Sequence, residues 1–137
     1  MQQRLDYAYG TVDAATSNVD ATKNNGQLGR VETFTGGTTT SPNRVAQQRF
    51  TYDSLGRLKQ SSEMRGDNLA QVYLQTFSYD RFGNRYQKAA ENQNTGIGYL
   101  PIEDADISKS TNRLASASVT YDDAGNMTID NRYRSQS

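Results

Sequence analysis

Apolar and polar positions alternate along much of this chain, and the alternation stops repeatedly at an Asp followed by a Gly. Phe50 and Tyr52 flank Thr51, Phe77 and Tyr79 flank Ser78, and Val119 and Tyr121 flank Thr120. In an extended strand alternate side chains share a face, so each apolar pair marks one face and the hydroxyl residue the other. Aromatic and β-branched residues suit such a half-buried, pleated surface. The pattern predicts strands over Arg4–Tyr9, Leu28–Thr35, Val45–Tyr52, Arg57–Met64, Ala70–Tyr79, Asn84–Ala90, Arg113–Tyr121 and Met127–Tyr133. Residues 11–20 read as strand or loop. A hairpin turn is predicted at Asn24-Asn25-Gly26, and a loop over 36–43 with Pro42. Arg65-Gly66-Asp67-Asn68 reads as a turn, and its adhesion-like tripeptide is explained by that alone. Residues 91–98 read as a polar loop, and 99–110 as irregular, with Pro101 blocking a central strand.

The stops share one motif. It runs Tyr52-Asp53-Ser54-Leu55-Gly56-Arg57, Tyr79-Asp80-Arg81-Phe82-Gly83-Asn84 and Tyr121-Asp122-Asp123-Ala124-Gly125-Asn126. The Asp carboxylate can fold back onto the amide two residues on and start a turn. The Gly supplies the positive φ that tight turns require. Each copy therefore predicts strand, turn, strand, with Tyr52, Asp53, Gly56, Tyr79, Asp80, Gly83, Tyr121, Asp122 and Gly125 in structural roles. Recurrence of one unit indicates a repeat architecture.

These residues closely resemble the YD repeat of the Rhs (rearrangement hot spot) family, in which Tyr-Asp is followed by Gly-Arg or Gly-Asn and an apolar residue. Leu5-Asp6-Tyr7-Ala8-Tyr9-Gly10 looks like a worn copy, Gly29-Arg30-Val31 like a second half-motif, and Asn112-Arg113-Leu114 like the strand before a new unit. Arg85 departs from the pattern, standing where an apolar residue is usual. The resemblance implies an all-β fold of antiparallel β-hairpin repeats in an open, curved sheet, part of a spiral or shell, and a sheet this short is expected to be completed by oligomerisation. The resemblance covers roughly two-thirds of the chain, which is read as one domain over residues 1–137, with units near 1–35 (degenerate), 45–64, 70–90 and 113–133 and an insertion near 92–111. Family members are bacterial, secreted or cell-surface proteins whose shells often enclose a toxin. The self-cleaving, Pro-containing signature of such shells is not matched by Pro42 or Pro101.

Composition narrows the chemistry. Among 137 residues there is no His and no Cys, which removes the commonest general base, the commonest metal ligands, thiolate chemistry and disulfides. No cofactor or metal is expected. Fifteen basic and fifteen acidic residues balance, giving no electrostatic case for nucleic acid or a membrane surface. No apolar run has the length of a membrane span, and Met1-Gln2-Gln3-Arg4-Leu5 lacks the apolar core of a signal peptide. Hydrophobic content of 34% is low for a self-contained core, whereas nine Tyr residues argue for ordered sheets.

Two function classes follow. One is a non-catalytic structural or interaction module, with carbohydrate as the leading ligand class and Tyr52, Tyr79, Tyr99 and Tyr121 as candidate stacking rings. Its exposed sheet edges or Tyr-rich faces predict a homo-oligomer. The alternative is a small glycosidase-like hydrolase using paired carboxylates. Its candidates are Asp53, Asp80 and Asp122 of the units, and Glu103, Asp104 and Asp106, the densest acidic cluster, in the insertion. Turn chemistry and a solvated loop are the competing readings of these two sets of acids.

Overall fold

In the computed structural model, residues 3–13, 16, 18–38, 42–87, 91–94 and 102–131 are described. The strands are β1 (Gln3–Tyr9), β2 (Thr11–Val12), β3 (Val19–Asp20), β4 (Leu28–Gly37), β5 (Pro42–Tyr52), β6 (Leu58–Arg65) and β7 (Ala70–Tyr79). They continue with β8 (Arg85–Gln87), β9 (Gln93–Asn94), β10 (Ile107–Ser108), β11 (Arg113–Leu114), β12 (Val119–Tyr121) and β13 (Met127–Asp130). Two 3-10 turns, Ala21–Lys23 and Asp104–Asp106, are the helical elements described by name. The protein is all-β, as its alternation predicts, and every ladder is antiparallel.

Seven strands form the main sheet in the order β1-β4-β5-β6-β7-β8, with β9 also pairing with β7. The pairs β2–β3, β10–β11 and β12–β13 form small ladders of their own. Burial follows the alternation only partly. Met64, Phe77, Ile107 and Val119 are the buried apolar side chains, and the polar Gln47, Ser62 and Gln87 are buried with them. A single layer of long strands leaves most positions half-buried, so polar side chains must satisfy one another within the sheet. On one face Glu32 of β4 sits opposite Gln47 of β5 and accepts from Gln47 Nε2 (2.8 Å) and Arg44 Nη1 (2.9 Å). Burial pushes the Glu32 carboxyl up, but these bonds and the charges of Arg30 and Arg44 outweigh it and hold it below the usual range.

Several boundaries differ from the sequence reading. The expected loop at 36–43 is shorter, because β4 extends through Gly37 and β5 starts at Pro42, which pair with each other. A proline is tolerated as the first residue of a strand, where its missing N–H breaks no ladder. Residues 113–121 are two short strands rather than one. Ser116 interrupts them: its hydroxyl accepts from the Ser118 amide and its carbonyl from the Val119 amide. In this Ala-Ser-Ala-Ser stretch, hydroxyls compete for the backbone and there is little apolar surface to bury. The polar segment 91–98 contains β9, and 99–110 contains a 3-10 turn and β10. Tyr99, Pro101, residues 88–90 and Tyr133 lie outside the described residues.

Candidate functional site

The three Tyr-Asp turns share one bonding pattern, the third lacking the amide bond two residues on. At the first, Asp53 Oδ1 accepts from the Leu55 and Arg57 amides (3.0 and 2.9 Å), and Oδ2 from Arg57 Nε (2.7 Å). At the second, Asp80 Oδ1 accepts from the Phe82 and Asn84 amides (2.8 and 2.9 Å), and Oδ2 from Asn84 Nδ2 (2.8 Å). At the third, Asp122 Oδ1 accepts from the Asn126 amide (2.7 Å) and Oδ2 from Asn126 Nδ2 (2.9 Å). Backbone bonds close each loop: Asp53 N to Arg57 O, Asp80 N to Asn84 O, and Asp122 N to Asn126 O. Gly56, Gly83 and Gly125 take φ of 78°, 87° and 90°, a region that disfavours any side chain.

Those bonds set the acids' chemistry. The Arg57 amide above all, with its side chain and the Leu55 amide, holds the Asp53 carboxyl below its ordinary value. The Asn84 side chain does the same for Asp80, and the Asn126 side chain for Asp122. A general acid needs the opposite perturbation, a carboxyl kept protonated near neutral pH. The three acids are turn-formers with their oxygens already engaged.

The tyrosines tie one unit to the one before. Tyr52 Oη donates to Leu28 O (3.0 Å), and Tyr79 Oη donates to Leu58 O (2.8 Å), in each case the first residue of the strand after the preceding turn. Tyr121 differs, its hydroxyl accepting from the Leu114 amide (3.0 Å). Gln27, Arg57 and Asn84, each following a positive-φ glycine, reach the other way. Gln27 Nε2 donates to Gly56 O (3.1 Å), the Arg57 guanidinium lies 4.1 Å over the Tyr79 ring, and Asn84 Nδ2 donates to Asn112 Oδ1. Of the proposed stacking rings, Tyr79 is thus covered on one face by Arg57, and Tyr121 has Arg113 5.2 Å from its centre.

The worn copy expected over residues 5–10 does lead into a turn of this kind, but its second half does not lie at Gly29-Arg30-Val31. Tyr9 pairs with Leu28 across a bulge, as Tyr52 pairs with Leu58 and Tyr121 with Met127. Gly10 N donates to Gln27 O (2.9 Å), the same closing bond made by Asp53, Asp80 and Asp122. Gly10 therefore stands in the Asp position, Gly26 (φ 85°) in the Gly position and Gln27 in the Arg position. The half-motif assigned to Gly29-Arg30-Val31 belongs at Gly26-Gln27-Leu28 instead, since Gly29 lies inside β4. Residues 11–23, holding β2, β3 and a 3-10 turn, are inserted between the two halves, which hides the pattern.

The insertion acids do not converge. Glu103 and Asp106 form a capping box on their own 3-10 turn, with Asp106 Oδ2 accepting from the Glu103 amide (2.8 Å). Asp104 pairs with Lys109, whose ammonium also lies 3.8 Å from Asp80 Oδ2. Asp104 first, and Asp80 after it, raise the Lys109 pKa. Lys109 thus bridges two carboxylates, Asp104 and Asp80. No group of three or more acids able to hold a metal occurs among the described residues. A cavity of about 330 Å³ is lined by Asn84, Arg85, Ile102, Ile107, Asn112, Arg113, Leu114 and Tyr121. A second, of about 210 Å³, lies between the first two turns against Gly10, Gln27, Phe50, Tyr52 and Asp53. Among the described residues no helix is long and apolar enough to cross a membrane.

Compared with family models, with curated proteins and with solved structures, the chain finds no match in any of the three.

Proposed function

We propose that this chain is a non-catalytic structural or interaction module, a run of Tyr-Asp hairpin units of the kind the Rhs resemblance implies. The observation that carries this reading is the fate of the unit acids. At each turn the Asp oxygens bond the turn's own amides and its Arg or Asn side chain, which lowers the carboxyl pKa and leaves the acid as architecture. Tyrosine hydroxyls and the residues after the glycines then join one unit to the next, which is how a sheet extends by addition of like parts. On this reading the module displays or encloses, and the resemblance makes a toxin-enclosing shell the larger assembly to which such units belong.

The test is an activity screen on aryl glycosides and esters, run beside a glycan-binding array. The expected result is no turnover above buffer, with unchanged background for Asp80→Asn and Asp104→Asn. Turnover by the wild type that either substitution abolishes, in a protein whose circular dichroism is unchanged, would make the carboxylate hydrolase the better reading. Glycan binding lost on replacing Tyr7 or Tyr9, the exposed rings of β1, would assign carbohydrate as the displayed module's ligand.

A further inference from the structure

Among the described residues the main-sheet strand β1 pairs only with β4, and β13 pairs only with β12. The outer side of β8 is already used, since Gln87 N donates to Ile102 O (2.7 Å). Among the described residues eight large hydrophobic side chains are exposed, and five of them lie on these two strands: Leu5, Tyr7 and Tyr9 on β1, Met127 and Ile129 on β13. A strand paired on one side and carrying exposed apolar side chains is a template for another strand.

The internal joints say which strand fits. At two of them, within the main sheet, a tyrosine ending one strand donates to the carbonyl of the first residue after the preceding turn, Tyr52 to Leu28 and Tyr79 to Leu58. Tyr9 holds the same position on β1, and its hydroxyl has no such partner among the described residues. Met127 is the first residue after the last Tyr-Asp turn, and its strand has an open side. The forward contact is also incomplete there. Gln27, Arg57 and Asn84 reach the next unit, whereas Asn126 Nδ2 bonds only within its own turn, to Asp122. Each end lacks what the other offers.

From this complementarity we infer that β13 of one copy docks antiparallel on β1 of another, with Tyr9 Oη donating to Met127 O and Asn126 facing the Tyr9-Gly10 turn. The contact continues the sheet's own β4–β5 and β6–β7 joints across two molecules. It is heterologous, so one end of each copy stays available and association runs head to tail.

The inference rests on the scaffold reading, and a monomeric, inert protein would sink it without touching that reading. Sedimentation velocity of the full chain from low to high micromolar concentration is the experiment. Wild type is expected to associate increasingly with concentration. The pair Leu5→Lys with Tyr7→Lys, and separately Met127→Lys with Ile129→Lys, should each be monomeric, since these side chains are exposed and the monomer does not need them. Mixed together, the two variants should form a one-to-one dimer and stop, because each retains one working end. Tyr9→Phe, which preserves the ring, should weaken association about five-fold, the worth of one hydrogen bond. A wild type that stays monomeric overturns the inference. So does continued self-association of the β13 variant, which would mean that β1 pairs with itself. Should a Lys variant unfold, wild-type affinity for Tyr9→Phe overturns it equally.

Discussion

Replacing Tyr79 by Phe removes one oxygen and isolates one joint of the sheet. The ring stays beneath the Arg57 guanidinium, 4.1 Å away, while the 2.8 Å bond from Oη to Leu58 O is lost. A neutral intramolecular hydrogen bond contributes about 1 kcal/mol net. In a chain of this length roughly 1 kcal/mol moves the melting midpoint by about 4 °C. Tyr79→Leu should cost more, adding loss of the ring and of a cation–π contact worth about 0.5–1 kcal/mol at an exposed site. Thermal and urea unfolding followed by circular dichroism measure both, and pairing each with Arg57→Ala completes a double-mutant cycle. Coupling to Arg57 is expected for the Leu variant and near zero for the Phe variant. If Tyr79→Phe and Tyr52→Phe both melt within error of wild type, the hydroxyl joints do not hold the units together and the reasoning fails.

The depressed carboxyls predict an acid limb. Asp53, Asp80, Asp122 and Glu32 are anions stabilised by folding, so their contribution is complete above the ordinary carboxylate pKa of about 4 and is lost as pH falls through the lower folded values. Urea midpoints should be flat near neutral pH and fall steeply below pH about 4, and Asp80→Asn, which keeps an acceptor for the turn amides, should flatten that fall. Gly83→Ala should destabilise by about 1 kcal/mol through backbone strain alone, since a methyl there meets nothing within 4 Å. Gly10→Ala should cost distinctly more in the same melt, because its methyl would lie 2.4 Å from Asp20 O, a backbone atom that cannot turn aside. Glu32→Ala leaves the buried Gln47 amide and Arg44 without their shared acceptor and should cost about 1–3 kcal/mol.

Local chemistry was legible in the sequence and long-range chemistry was not. Strands β5, β6 and β7 sit where alternation placed them, because Phe50, Tyr52, Phe77 and Tyr79 carry period-two signals ended by an Asx turn. The turn role of Asp53, Asp80 and Asp122 was visible for the same reason, since their partners lie within four residues. The tyrosine joints span more than twenty residues, and nothing at Tyr52 itself points to Leu28. The second half of the unit at Tyr9 was misplaced because a Gly stands where the Asp is usual and an insertion separates the halves, so spacing ceased to inform. Glu103, Asp104 and Asp106 drew notice by density along the chain, yet their side chains turn to different partners.

The widened turn at Gly10 has a consequence for what this scaffold can be made to carry. Three residues separate Asp53 from Arg57, whereas sixteen separate Gly10 from Gln27, and the closing bond is 2.9 Å in both. Loop-closure entropy charges about 1.5 kcal/mol for that lengthening. A β-turn that absorbs so much foreign chain while its strands keep register is a grafting socket. New recognition loops spliced after Asp53 or Asp80, in the β5–β6 and β7–β8 turns, would be presented at one end of the main sheet, with the Tyr52 and Tyr79 joints keeping their spacing.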